Sequence, residues 1–134
     1  MFGMLWNMRH LGIDYGTKKI GLSVSDERGS AAFPLEVLDN DSSVLGKISE
    51  ILKANDISRI VMGDGRSGGR ENSVTAEIEK FATILGKKFS VPVELQREDF
   101  SSTEAARFVK LKSGKRDDSA AAIILQRFLD AEGS

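Results

Sequence analysis

Three carboxylates stand where the sequence changes from one predicted element to the next. Asp14 lies in an apolar run that glycines interrupt on both sides, Glu98 follows the last predicted strand, and Asp117 opens the last predicted helix. Burying an unpaired carboxylate is costly, so Asp14 in such a run requires a cation, a metal ion or backbone donors as its partner. A turn-forming aspartate is the alternative explanation.

The composition limits which metal these acids could hold. The chain has no cysteine and one histidine, His10, which precedes the first predicted strand and which we interpret as incidental. Carboxylates without thiolates form a hard oxygen site, which favours Mg²⁺ or Mn²⁺ over zinc. Such ions promote phosphodiester hydrolysis by lowering the pKa of a bound water and offsetting charge on the reacting oxygens. Asp117 also has a structural explanation as a helix N-cap, and Glu98 alone is a weak signal.

Cations accompany the acids in three places: the turn after Asp14, a glycine-rich loop, and a basic run that precedes Asp117. We expect these side chains to contact the phosphates of a nucleic acid, although the basic run is equally typical of a solvated helix face. The candidate nucleic-acid-binding residues are Lys18, Lys19, Arg66, Arg70, Lys112, Lys115 and Arg116. A net charge of −1 argues against nonspecific coating of nucleic acid.

The length and composition indicate one globular domain over residues 1–134. A chain of 134 residues with 40% hydrophobic and 29% charged residues can bury a real core, and no apolar run has the length of a membrane span. Residues 1–8 are apolar but lack a basic leader and a cleavage site, so we expect a flexible N-terminal extension rather than a signal peptide. These features predict a cytoplasmic protein that does not associate with membranes.

Hydrophobic periodicity and turn residues predict nine elements along the chain. The predicted strands cover about 10–16, 19–26, 31–38, 57–63 and 91–95. The predicted helices cover about 44–54, a segment whose apolar residues run from 74 to 85, about 101–110, and a last segment that begins at Asp117 or Asp118. Pro34 places the third strand at a sheet edge, because proline donates no ladder hydrogen bond. Helices that cross between the later strands imply parallel pairing beside an initial antiparallel meander. The expected fold class is therefore α/β, with a five-stranded mixed sheet flanked by helices.

Three motifs together resemble the YqgF/RuvX family. They are the segment from Gly12 to Gly21 with Val24-Ser25-Asp26, Glu98 followed by Ser101-Ser102-Thr103-Glu104-Ala105, and Asp117 with Ala120-Ala121 and Ile124-Leu125-Gln126. The resemblance covers about residues 8–130. It implies an RNase H-like fold and a metal-dependent nuclease that resolves Holliday junctions or processes the 5′ end of pre-16S rRNA.

The resemblance places the family's acidic residues on Asp14, Glu98 and Asp117, with Asp118 and Asp64 as reserve ligands. We expect Asp14 to bridge two divalent ions, Mg²⁺ or Mn²⁺, while each of the other two acids completes the shell of one ion. Two segments depart from the family pattern. Arg97-Glu98-Asp99 exchanges the charges that flank the glutamate, and Gly63-Asp64-Gly65 stands where the family tends to have Gly-Leu-Pro.

Other functions remain open on the sequence. Because Gly12-Ile13-Asp14 with Gly16-Thr17 also resembles the phosphate loop of sugar kinases and actin, a nucleotide-binding phosphotransferase is one alternative. A noncatalytic nucleic-acid-binding module with the same fold is another. The sequence does not decide between an RNA precursor and branched DNA as the partner, or between a monomer and a homodimer.

Overall fold

The computed structural model describes residues 9–65, 73–97 and 119–133, which form five strands and three helices. The strands are β1 (His10–Asp14), β2 (Lys19–Ser25), β3 (Ala32–Asp39), β4 (Arg59–Gly63) and β5 (Val93–Gln96). The helices are α1 (Val44–Ala54), α2 (Ser73–Phe89) and α3 (Ser119–Gly133). The predicted N-terminal extension (1–8) and the predicted helix at 101–110 lie outside the described residues.

All five strands belong to one mixed sheet with the order β3-β2-β1-β4-β5. β1 pairs antiparallel with β2 and parallel with β4, while β4 pairs parallel with β5. The predicted meander and parallel extension are thus confirmed. Pro34 lies on the edge strand β3 as expected, next to a register shift in the β2–β3 pairing.

One face of the sheet forms the larger core, with α1 and α2 packed on it. Leu11 and Ile13 of β1 are completely buried on this face, together with Ile48 of α1 and Leu85 of α2. Fully burying one such side chain contributes about 1.5–3 kcal/mol. Because side chains alternate along a strand, Gly12 and Asp14 face the opposite side.

That opposite face is covered by α3, which packs on β1 and β2 more than on β5. Ile124, Leu125 and Phe128 of the helix form a second core cluster with Val61 of β4 and Ala32 of β3. The helix is also fixed by hydrogen bonds, since the Gln126 side chain accepts from the Ala32 N–H at 2.9 Å and donates to the Ser30 carbonyl at 3.0 Å.

Several predicted boundaries were wrong by two residues, and local hydrogen bonding explains two of them. Ile57 does not open β4, because its N–H donates to the Leu52 carbonyl and so belongs to the end of α1. Pro92 lacks an N–H, and β5 begins after it at Val93. His10 does not precede β1 but is its first residue, with its ring against Phe128.

Candidate active site

Asp14 is the last residue of β1, and its half-buried carboxylate lies beside the first turn of α3. A Cβ placed on Gly21, its partner on β2, would lie 4.0 Å from Asp14 Oδ2 and 3.8 Å from the Ala121 Cβ. The carboxylate, the glycine and the helix therefore meet at one point.

Glycine also lies on the other side of Asp14. Ile13 pairs with Met62 in the parallel β1–β4 ladder, so Asp14 is level with Gly63, the last residue of β4. Gly63 in turn pairs with Gln96 at the end of β5. Asp14 is thus flanked across the sheet by two residues without side chains, which leaves space around its carboxylate.

Burial raises the pKa of the Asp14 carboxyl above its ordinary value. Within residues 9–65, 73–97 and 119–133, no side chain forms an ion pair or hydrogen bond with this carboxylate. A carboxylate that is partly desolvated and uncompensated is poised to accept a cation.

Close packing of β1 against α3 fixes the position of the helix relative to Asp14. A Cβ at Gly12 would overlap the Ser23 hydroxyl and lie 2.8 Å from the Leu125 Cβ. The absence of that carbon allows the fully buried Ser23 hydroxyl to donate to the Ala121 carbonyl at 2.9 Å. The sequence analysis missed this Gly12–Ser23–Ala121 contact; glycine inside a strand pattern was the available signal of a close approach.

The turn between β1 and β2 is held by Asn40, a second residue that the sequence analysis missed. The Asn40 side-chain amide donates to the Gly16 carbonyl at 2.9 Å, and the Asn40 backbone N–H donates to the Lys18 carbonyl at 2.9 Å. Lys18 itself is exposed, as a phosphate-binding residue would need to be.

Tyr15 anchors the same turn to the helix on the other face. Its hydroxyl donates to Glu77 Oε1 of α2 at 3.2 Å, and its ring packs against Phe81 with the centroids 5.1 Å apart. Asp14 is therefore followed immediately by a residue that ties the end of β1 to α2.

Lys19 forms an exposed ion pair on the same side of the sheet as Asp14. Its Nζ lies 2.7 Å from Asp39 Oδ1, and this hydrogen bond raises the pKa of Lys19. The ammonium remains solvent-accessible and can meet a phosphate at the sheet surface.

The remaining candidate ligands are placed only in part. Asp64 follows β4 at the carboxyl ends of the parallel strands, where Asp14 also lies. Its backbone N–H donates to the Gln96 carbonyl at 2.9 Å. The other predicted ligands and cations lie outside the described residues: Glu98, Asp117, Asp118, Arg66, Arg70, Lys112, Lys115 and Arg116.

Of the predicted metal ligands, the described residues supply Asp14 and the reserve Asp64. They contain no group of three or more His, Asp or Glu side chains able to hold a metal ion. Asp14 fits the role of a ligand for a hard cation, since its carboxylate oxygens lie between two glycines and bond to no described side chain. A complete site would need further acids, which the segment after β5 and the segment before α3 could provide.

Comparison with known proteins gives the family. A family model described as "RuvX: Holliday junction resolvase" matches residues 8–131. The chain belongs to this family. The resemblance seen in the three sequence motifs is thus confirmed over nearly the whole chain.

Curated relatives of this RuvX-family chain carry the name "Putative pre-16S rRNA nuclease". One from Koribacter versatilis (strain Ellin345) is 36% identical over 93% of this chain and 88% of its own length. Another from Bordetella avium (strain 197N) is 39% identical over 90% of this chain and 93% of its own length. These names confirm the nuclease prediction, and the chain spans most of each relative.

Solved structures support the fold. Thermus thermophilus RuvC in complex with a Holliday junction substrate aligns with a TM-score of 0.62 at 17% identity, over 95% of this chain and 96% of that one. A second structure of Thermus thermophilus RuvC aligns with a TM-score of 0.60 at 16% identity, over 94% of this chain and 96% of that one. The similarity confirms the predicted RNase H-like fold. In the part of the chain that the structure describes, no helix is long and apolar enough to cross a membrane.

Proposed function

We propose that this chain is a divalent-metal-dependent nuclease that hydrolyses phosphodiester bonds in structured nucleic acid. The observation that carries the proposal is the Asp14 carboxylate, half-buried and uncompensated by any described residue, between two glycines and the first turn of α3. The substrate is a pre-16S rRNA end, a Holliday junction, or both, and the site of action is the cytoplasm.

Glu98 is proposed as the second ligand because successive side chains along β5 point to opposite faces of the sheet. Glu94 and Gln96 pair with Val61 and Gly63, and Val61 packs against α3 on the side that Asp14 faces. If the extended backbone continues for two more residues, Glu98 keeps that side and Asp99 takes the other.

Asp117 is proposed as the third ligand because α3 begins two residues later, at Ser119. The first turn of that helix contacts the site through Ala121. Asp118 is the reserve from the same segment. Asp64 is a second reserve ligand, since it follows the end of β4, the strand that pairs with β1.

Mg²⁺ or Mn²⁺ bound to these oxygens would supply an activated water and would offset charge on the leaving oxygen. The chain's own residues then have two tasks. Asp14 holds its carboxylate oxygens in a fixed position, because it is set in a paired strand and the next residue, Tyr15, is anchored to α2. Exposed cations around the site, Lys18 and Lys19 among the described ones, hold the phosphate backbone without reading its sequence.

The proposal predicts different effects for two neighbouring acids. Glu98→Gln should weaken Mn²⁺ binding by tenfold or more and lower activity with it, because even the outer-shell partners of metal ligands carry effects of roughly 10–100-fold. Asp99→Asn should change either by less than about twofold, because adjacent residues of an extended backbone point to opposite sides. Isothermal titration calorimetry with Mn²⁺ measures the binding. Loss of binding in Asp99→Asn with binding retained in Glu98→Gln would show that the ligand is Asp99.

A further inference from the structure

A row of residues that no described element covers crosses the sheet from Asp14 to the edge strand β3. Asp14 pairs with Gly21 on β2, and Gly21 pairs with Val37 on the edge strand β3. Paired residues share a face of the sheet, so the three positions form one row on the side of α3. Val37 is 43% exposed there, although it is a large apolar residue.

The row begins where the cover of α3 ends. Along β2, Ser23 is completely buried beneath the helix, Gly21 is half-buried and Lys19 is exposed. The first turn of α3 therefore forms one wall of the row at Ala121, and the Lys19–Asp39 ion pair stands along the other side. The row spans about 10 Å, which is two interstrand spacings.

We propose that Gly21 and Val37 form the floor of a lane along which one strand of nucleic acid reaches Asp14. This inference rests on the proposed nuclease function and adds two residues that determine access for a polymeric substrate. Glycine and valine present no side-chain hydrogen-bonding group, so the floor suits the sugar face of a strand and reads no base. Lys19 at the rim is placed to meet the phosphates.

Gly21→Ala tests the lane with little risk to the fold. A Cβ at this position would make only ordinary contacts, 3.7 Å to Asp14 Cβ and 3.8 Å to Ala121 Cβ, and the glycine does not have a positive φ that would strain alanine. The methyl group would nevertheless project into the lane. We expect kcat/KM for a polynucleotide to fall roughly tenfold, the consequence of one methyl group overlapping a fitted substrate.

A second variant and two controls make the test specific. Val37→Glu places a negative charge in the lane and should likewise lower polynucleotide cleavage. Phe33→Glu is its control, because Phe33 is also exposed on β3 but pairs with Val24, which packs against the core on the other face. Gly46→Ala controls for the glycine replacement, since no atom lies within 4 Å of its added Cβ.

Each variant is assayed with Mn²⁺ on a polynucleotide and on bis(4-nitrophenyl) phosphate, a small ester that needs no lane, with Mn²⁺ affinity and Tm measured in parallel. We expect Val37→Glu to lose cleavage of the polynucleotide alone, Gly21→Ala to lose more on the polynucleotide than on the small ester, and both controls to match the wild type. Wild-type polynucleotide cleavage by Gly21→Ala and Val37→Glu would overturn the lane. Equal loss on both substrates, by Val37→Glu or by Gly21→Ala, would also overturn it, because the effect would then lie at the ion site and not in access to it. A wild-type protein that cleaves neither substrate would instead overturn the proposed function.

Discussion

At the scale of single residues, the proposed site depends on a carboxylate that the fold holds without a compensating charge from the described residues. Asp14 could be predicted from sequence, because an acid in an apolar run next to glycine has few structural explanations. Its surroundings could not be predicted. That Gly21 and Gly63 both flank it follows from strand register, which is set by pairing between distant segments.

The raised pKa of Asp14 predicts how stability depends on pH in the absence of divalent ions. The folded protein holds the Asp14 proton more tightly than the unfolded chain does. The free energy of unfolding therefore falls as the pH rises through the ordinary and the raised pKa of this residue. Asp14→Asn removes that cost. We expect its Tm to exceed the wild-type Tm at neutral pH by a few degrees, the scale that roughly 1 kcal/mol has in a domain of this size.

Thermal denaturation of both proteins from pH 7 downward checks the sign of this Tm difference. The Tm difference between Asp14→Asn and wild type should shrink as the pH falls, since the wild-type carboxyl then becomes protonated in the folded state. Added Mn²⁺ should raise the wild-type Tm and leave the variant unchanged. A variant that is less stable than wild type at neutral pH would mean that Asp14 is compensated by a cation of the protein itself.

At the scale of elements, the sequence was informative about the sheet and less so about what joins it to α3. Periodicity and the position of Pro34 suffice for the meander and the edge strand, because both are local signals. The contact between Gly12, Ser23 and Ala121 joins residues up to 109 positions apart; glycine inside the strand signals a close approach, but no local pattern identifies the partner. It nevertheless decides where α3 starts relative to Asp14.

Gly12→Ala should therefore disturb both stability and the site. The added carbon would overlap the Ser23 hydroxyl and crowd Leu125 Cβ at 2.8 Å, so we expect a loss of about 1–3 kcal/mol. Urea denaturation measures the loss. Gly46→Ala is the matched control: it has open space around its Cβ and should be stabilised by about 0.5–1 kcal/mol, as expected for glycine replaced inside a helix. A Gly12→Ala protein as stable as wild type would refute the close approach of β1 to α3.

At the scale of the whole molecule, binding of nucleic acid must come from local charge, because the net charge is only −1. The described face around Asp14 offers Lys18 and Lys19. The predicted basic run supplies further cations from outside the described residues.

Replacing Lys112, Lys115 and Arg116 together by alanine tests that basic run. We expect weaker binding that is uniform across sequences, and a plot of log K against log salt that is flatter by about 2 to 3 for duplex DNA, because fewer counterions are released. Fluorescence anisotropy over a salt series measures it. An unchanged slope would show that the run is only a solvated surface.

The central claim is that this RuvX-family chain cuts nucleic acid at Asp14, and one cleavage assay tests it most directly. Wild-type protein and Asp14→Asn are incubated with Mn²⁺ and either a four-way DNA junction or a 5′-extended 16S rRNA precursor, after both proteins are shown to be folded. We predict that the wild type cleaves at least one of the two substrates and that the variant loses cleavage of both by about 10²–10³-fold or more, the scale on which loss of one transition-state-stabilising group acts. Cleavage by Asp14→Asn at the wild-type rate would contradict the account.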